Sequence, residues 1–219
     1  PDTLIWFARM ALMLGDHESA IQTLKCLTEL RPEKSHFWIE LAGLQVEVGR
    51  VEEAKRTLNQ MLSHETVNLD GFKRAASLFL QIQDYRQAAF CLERAVLLDN
   101  SQDADLLFVL GCLEYLAGDD KAALGHIQVG TDLEPESAPF FVLECDILNR
   151  LERHQAADAC LEQAAKLVET QTAVTVPADA MINHLPEEFI RSVTLPEYIY
   201  LRKAEAFLAL RYTEVGKQW

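Results

Sequence analysis

The sequence lacks the cysteine, histidine and basic-residue patterns that mark several classes of protein. Its five cysteines include no CxxC pair and its six histidines no HxxxH pair, so the ligand spacing of a zinc site is missing. The formal net charge of −14 at pH 7 disfavours contact with phosphate backbones and anionic lipid. We therefore expect no metal ion, no other cofactor and no nucleic-acid partner.

Long apolar runs and catalytic signatures are missing as well. No apolar run reaches the roughly 18 residues that a membrane-spanning helix needs, so we expect no membrane insertion. The sequence contains no phosphate-binding loop, dinucleotide fingerprint, nucleophile elbow or HExxH motif, so we expect no catalytic residues and no enzyme activity in this segment. The odd number of scattered cysteines favours reduced thiols and a cytoplasmic location. Because the helical pattern runs up to Trp219, we also expect the chain to be a fragment.

A repeat of 34 or 35 residues runs through most of the chain. One column of the repeat holds alanine in every copy, and a leucine or isoleucine follows it four residues later. The alanines are Ala20, Ala54, Ala88, Ala123 and Ala157. Twelve residues before each of them stands another small residue, namely Ala8, Ala42, Ala76, Gly111 and Cys145. Because antiparallel helices approach closely only where both carry small side chains, we expect each copy to be a pair of helices that cross at these columns.

Glycine occupies the expected end of the first helix in three copies, at Gly15, Gly49 and Gly118. Glycine ends helices readily because it adopts the left-handed backbone conformation without steric cost. Gln83 and Glu152 replace it in the third and fifth copies. We therefore expect looser helix ends in those two copies.

The period and the two small-residue columns together resemble the tetratricopeptide repeat family over about residues 1–169. The resemblance implies an all-α fold, a right-handed α-solenoid of stacked antiparallel helix pairs. Five repeats are then expected at 1–34, 35–68, 69–103, 104–137 and 138–169. An insert with a short helix follows at 170–196, and 197–219 forms the first helix of a sixth, truncated repeat.

The insert has the apolar pattern of a helix that packs on the array. Its apolar residues recur at helical spacing and are Met181, Ile182, Leu185, Phe189, Ile190 and Val193. We expect a helix within 177–194, because a disordered linker would be poorer in such residues. Two destinations stay open: the seam between the fifth and sixth repeats, which we favour, and the groove of the array.

The resemblance also implies a concave groove, lined by the first helix of each repeat, that binds a protein or peptide. The residues expected to face it are Ile5, Arg9, Leu12, Ile39, Val46, Lys73, Arg74, Ser77, Leu80, Phe108, Cys112, Tyr115, Val142, Asp146 and Asn149. Many of them are apolar, and an exposed apolar groove suits an amphipathic helix or an extended segment.

We interpret the chain as a protein–protein interaction module that binds a basic or amphipathic segment, as an adaptor, assembly factor or chaperone. A regulatory or docking segment of a larger multidomain enzyme, with the catalytic domain outside this fragment, is the main alternative. Self-association into an array is a further alternative.

Overall fold

The structure is a computed structural model that describes residues 2–64, 66–99, 103–170, 180–194 and 198. Over these residues the chain forms eleven α-helices and one short 3-10 helix, without a β-strand. The predicted all-α fold is confirmed. The chain divides into two compact units, Pro1–Asn100 and Ser101–Trp219.

The first unit consists of three helix pairs. In chain order its helices are α1 (Asp2–Met13), α2 (His17–Leu30), α3 (Ser35–Glu47), α4 (Val51–Leu62), α5 (Leu69–Gln81) and α6 (Tyr85–Leu98). Each odd-numbered helix packs against the helix that follows it, and α3 also contacts α2 and α5. The pairs therefore stack on one another within the unit, as tandem repeats do when no single pair can bury its apolar surface alone.

The second unit continues the same pattern and then departs from it. Two helix pairs come first and shorter elements follow, in the order α7 (Ala104–Ala117), α8 (Asp120–Leu133), α9 (Ala138–Arg150), α10 (His154–Thr170), the 3-10 helix (Ala180–His184) and α11 (Glu187–Thr194). Here too α7 packs on α8 and α9 on α10, and α8 contacts α9. In the part of the chain that the structure describes, no helix is both long enough and apolar enough to cross a membrane.

The two small-residue columns lie where the helices of a pair meet. Each of the five alanines in the second helices has at most 1% of its surface exposed, and Ala88 and Ala123 are fully buried, as predicted. Opposite them, the small residues of the first helices are also buried. At Gly111 an added methyl group would lie 2.5 Å from two carbons of Ile127. The columns therefore hold small residues because the helix crossing leaves no room for larger ones.

The first helix of every pair ends in the same hydrogen-bonded turn. One residue in each turn has a positive φ, namely Gly15, Gly49, Gln83, Gly118 and Glu152. The amide that follows it bonds back across the helix end, for instance from Asp84 to the Phe79 carbonyl at 2.8 Å and from Arg153 to the Leu148 carbonyl at 2.9 Å. The expectation of looser ends in the third and fifth copies was therefore wrong. Packing of the stacked pairs imposes the left-handed turn even where glycine is missing.

Gln83 and Glu152 should thus be sites where glycine stabilises the protein. Gln83→Gly is expected to raise the free energy of unfolding by about 0.5–1 kcal/mol. Glycine relieves the steric strain of the left-handed backbone, and this gain exceeds the additional conformational entropy that glycine loses on folding. Chemical denaturation measures the change. The control is Gln81→Gly, which places glycine in the helical last turn of α5 and should lower stability. If both glycine variants lose stability equally, the backbone at Gln83 is not strained.

The segment after α10 forms two short elements rather than one helix. A 3-10 helix covers Ala180–His184, and α11 begins at Glu187, directly after Pro186. Proline suits a helix start because its fixed φ is helical and its missing N–H is not needed there. The first residues of the predicted helix, 177–179, and the sixth repeat predicted at 197–219 fall outside the described residues, apart from Tyr198.

Candidate partner-binding faces

The first helices of the first unit expose part of the predicted groove. We define the α1–α3–α5 face by Ile5, Arg9, Leu12, Val46, Lys73, Arg74 and Ser77, the predicted groove residues that are half-buried or exposed on these three helices. At the α1 end of this face, Arg9 and Leu12 are exposed, and Leu12 keeps 39% of its surface open. An exposed leucine beside an exposed arginine can offer one apolar and one charged contact to a partner.

A cleft lies between α1 and α3 on this face. Its walls include Ile5, Arg9, Leu12, His36 and Glu40, and its floor consists of the apolar side chains Ala8, Leu24, Leu27 and Phe37. The floor residues are buried members of the apolar core of the first two helix pairs. The cleft is therefore a rigid apolar depression with charged side chains at its rim, which is the usual form of an anchor site for a bound side chain.

The α5 part of the face carries two basic residues that have acidic partners. The Lys73 ammonium lies 3.9 Å from the Asp99 carboxylate, and the Arg74 guanidinium lies 4.0 Å from Asp70, one turn away on the same helix. The Arg74–Asp70 pair is exposed, and such pairs contribute little to stability. The Arg74 side chain can therefore reorient toward a partner at small cost.

Two residues predicted to face the groove in the first unit are buried instead. Ile39 is 4% exposed and Leu80 is 1% exposed. Ile39 lies on α3, and α3 contacts α2, α4 and α5. Leu80 lies on α5, which contacts α3 and α6. The prediction that these two side chains line an open groove was wrong, because neighbouring helices cover them.

Four predicted groove residues of the second unit are also buried. Phe108 and Cys112 on α7 are fully buried, and Val142 and Asp146 on α9 are 1% and 4% exposed. Phe108 makes an edge-to-face contact with Phe140, with ring centroids 5.0 Å apart. These side chains belong to the core of the described state, so the prediction that they are open to a partner was wrong for this state.

The remaining two predicted residues of the second unit, Tyr115 and Asn149, lie at the rim of this buried region. The Tyr115 ring stacks on Phe189 of α11, with centroids 5.7 Å apart and an interplanar angle of 25°. The Arg150 guanidinium lies 4.1 Å from the centre of the same ring, donates to the Tyr115 carbonyl at 2.9 Å and pairs with Asp120 at 2.9 Å. Asn149 is exposed.

Residues 180–194 lie against the first helices of the second unit. α11 contacts α9, and through Phe189 it contacts α7. Its buried side chains are Val193 and Thr194, and the preceding stretch buries Met181, Ile182 and Leu185. These contacts place the segment beside α7 and α9, whereas the predicted seam with a sixth repeat involves residues outside the described part of the chain. Sequence periodicity revealed the apolar side of this segment but not the helices that it would contact.

Comparison with known proteins agrees with the repeat architecture. Residues 11–70 match the sequence model of the tetratricopeptide repeat family. Residues 11–70 are therefore tetratricopeptide repeat sequence, and the other described helix pairs share the architecture of that repeat. No curated protein sequence matches it, but many solved structures share its fold.

Three of these solved structures illustrate the similarity. A crystal structure of MamA protein aligns over 80% of this chain and 97% of its own, with 16% identity and a TM-score of 0.56. MamA from Desulfovibrio magneticus RS-1 aligns over 78% of this chain and 97% of its own, with 18% identity and a TM-score of 0.53. YrrB, described as a tetratricopeptide repeat protein with an unusual peptide-binding site, aligns over 77% and 86%, with 21% identity and a TM-score of 0.56. At such identities the likeness concerns the fold alone.

Three of the five thiols are placed for packing rather than chemistry. Burial raises the pKa of the Cys91 thiol to about 12 and that of Cys112 well above its usual value. Burial, followed by the nearby Glu144 carboxylate, raises the pKa of Cys160 to about 12. Because the thiolate is the reactive form, these three thiols are poor nucleophiles at neutral pH. Among the described residues, no group of three or more histidine, cysteine or acidic side chains could hold a metal ion.

Proposed function

We propose that this protein binds a segment of another protein on the α1–α3–α5 face, and that it serves as a non-catalytic adaptor, assembly factor or chaperone. The observation that carries the proposal is the cleft between α1 and α3, where exposed Leu12 and Arg9 adjoin a buried apolar floor. The tetratricopeptide repeat fold supports a role in protein interaction, and a peptide-binding site is described for YrrB, which shares that fold.

The rim of the cleft suggests an amphipathic partner. One apolar side chain of the partner would enter the cleft over Leu24 and Phe37, while polar groups would meet Arg9 and Glu40 at opposite rims. A partner with basic residues would also approach faster, because the net charge of −14 attracts cations over long range. The specific contacts are therefore apolar, and charge mainly increases the rate of encounter.

Two buried cysteines support a cytoplasmic location. Cys91 and Cys112 are free thiols in the core. Buried free thiols suit a reducing compartment, whereas secreted domains generally use their cysteines in disulfides.

The alternative is a docking segment within a larger enzyme, and self-association is a further one. The binding experiment below identifies the peptide-binding surface whether the chain is an adaptor or a docking segment. Light scattering over a range of concentrations distinguishes self-association, because only then does the average mass rise with concentration.

The proposal is tested with peptides selected for binding from a random displayed library against the full chain. Leu12→Asp is expected to weaken the selected peptides at least about tenfold, since an anchor residue typically contributes more than 1 kcal/mol and a buried unpaired charge costs more. Calorimetry or fluorescence anisotropy measures the dissociation constants.

The matched control is Leu97→Asp. Leu97 lies on α6, a second helix, and is 74% exposed, so it is more accessible than Leu12 but lies off the proposed face. Its replacement should leave peptide affinity unchanged. Equal loss in both variants, or loss only at Leu97, would contradict the proposed face.

A further inference from the structure

The first helices of the second unit are buried on every side. On α7, all residues from Leu106 to Glu114 are buried, and on α9 all residues from Val142 to Leu148 are buried. In the first unit, by contrast, α1 leaves Arg9 and Leu12 exposed on the equivalent side. This side is therefore covered more completely in the second unit than at the α1 end of the first.

Part of that cover is residues 180–194. This segment contacts α9 directly, and Phe189 stacks on Tyr115 at the end of α7. Cys112 precedes Tyr115 by one helical turn, so the two residues lie on the same side of α7. Cys112 is fully buried, whereas Tyr115 remains half-buried beside Phe189.

The covering segment itself has the form of a bound peptide. α11 is a short amphipathic helix that turns Val193 inward and leaves Glu187, Glu188 and Arg191 in solvent. Tertiary contact must hold it in place, because an isolated helix of eight residues is unstable in water. A short element that depends on tertiary contact alone can open locally, at lower free energy than global unfolding.

We propose that residues 180–194 are a displaceable occupant of the α7–α9 face, defined by Phe108, Cys112, Tyr115, Val142, Asp146 and Asn149, and that the external partner of this face is an amphipathic helix. When the partner binds, one of its side chains takes the place of Phe189 against the Tyr115 ring, and its apolar side takes the place of α11 against α9. This inference extends the proposed binding role to the second unit and rests on it. The covered state is the resting state, because a tethered occupant competes at an effective concentration in the millimolar range.

Alkylation of native thiols tests the proposal in the full chain. Cys112 should become accessible to iodoacetamide when the segment opens, whereas Cys91, also fully buried but located in the first unit, reports only wider unfolding. Phe189→Ala is expected to raise the alkylation rate of Cys112 about tenfold, since it removes an aromatic contact and the apolar surface of the ring. The rate at Cys91 should not change. Mass spectrometry of the two cysteine-containing peptides gives both rates.

Two further arms complete the experiment. Glu188→Ala changes an exposed residue of the same helix, so the alkylation rates of Cys112 and Cys91 should stay as low as in the unaltered protein. A synthetic peptide with the sequence of residues 180–194, added in excess to the Phe189→Ala protein, should slow Cys112 alkylation again, while a scrambled peptide should not.

Three results would overturn the proposal. The Cys112 rate could stay unchanged in Phe189→Ala, which would mean that the segment does not cover this thiol. The Cys91 and Cys112 rates could rise together, which would make Phe189 part of the global core. The added peptide could fail to protect Cys112, which would show that the face does not accept a helix in trans. None of these results bears on the Leu12 experiment, which concerns the first unit.

Discussion

Gly130→Ala is expected to lower the free energy of unfolding by about 1–3 kcal/mol, although alanine is the better helix former. Gly130 lies on α8, and a Cβ at this position would overlap the Phe140 ring, with the ring atoms Cδ1 and Cζ only 2.9 Å away. That ring cannot move aside easily, because Phe140 is fully buried and rests against Phe108. Chemical denaturation monitored by circular dichroism measures the loss.

Gly125→Ala on the same helix is the matched control. A Cβ at Gly125 meets no atom within 4 Å, so alanine there should stabilise α8 by about 1 kcal/mol through helix propensity alone. The two substitutions are chemically identical and lie five residues apart, yet they should act in opposite directions. If both stabilise the protein, the approach of Phe140 to α8 is looser than described.

Ala88→Leu should be at least as damaging to the first unit, with an expected loss of about 1–3 kcal/mol or more. Ala88 is fully buried where α6 packs on α5, and Ala76 on α5 is fully buried as well. A leucine at this crossing must either push the two helices apart or adopt a strained rotamer. The melting temperature should therefore fall by several degrees.

Ala117→Leu provides the comparison for that variant. Ala117 ends α7 and is exposed, so the same added volume meets solvent and the melting temperature should stay nearly constant. An Ala88→Leu protein that melts like the unaltered chain would show that the register of the third repeat has been misassigned.

The repeat architecture could be predicted from the sequence because it depends on columns rather than single residues. Five alanines in one column determine the crossing of each pair, and this constraint persists where neighbouring signals fail. Gln83 illustrates the point: as an isolated residue it gives no hint of a left-handed backbone, yet it adopts a φ of 59° because its position in the period requires it. Residue preference was overridden by tertiary packing.

Side-chain exposure in the groove was harder to predict. Periodicity placed Phe108 and Val142 on the correct helices, but exposure depends on which other segments cover that side. For the second unit the cover includes residues 180–194, whose destination cannot be derived from an amphipathic pattern alone. An amphipathic helix packs its apolar side on an apolar surface. The sequence contained two such surfaces, the seam between repeats and the groove, and did not distinguish them.

The most direct test of the proposed function is the footprint of a selected peptide on the full chain by amide hydrogen exchange. A peptide sensitive to Leu12→Asp should slow exchange in α1, α3 and α5, and in α2 only beside the cleft floor at Leu24 and Leu27, while α4 and α6 are unaffected. Protection confined to the second helices, or distributed evenly over both helices of each pair, would contradict binding on the α1–α3–α5 face.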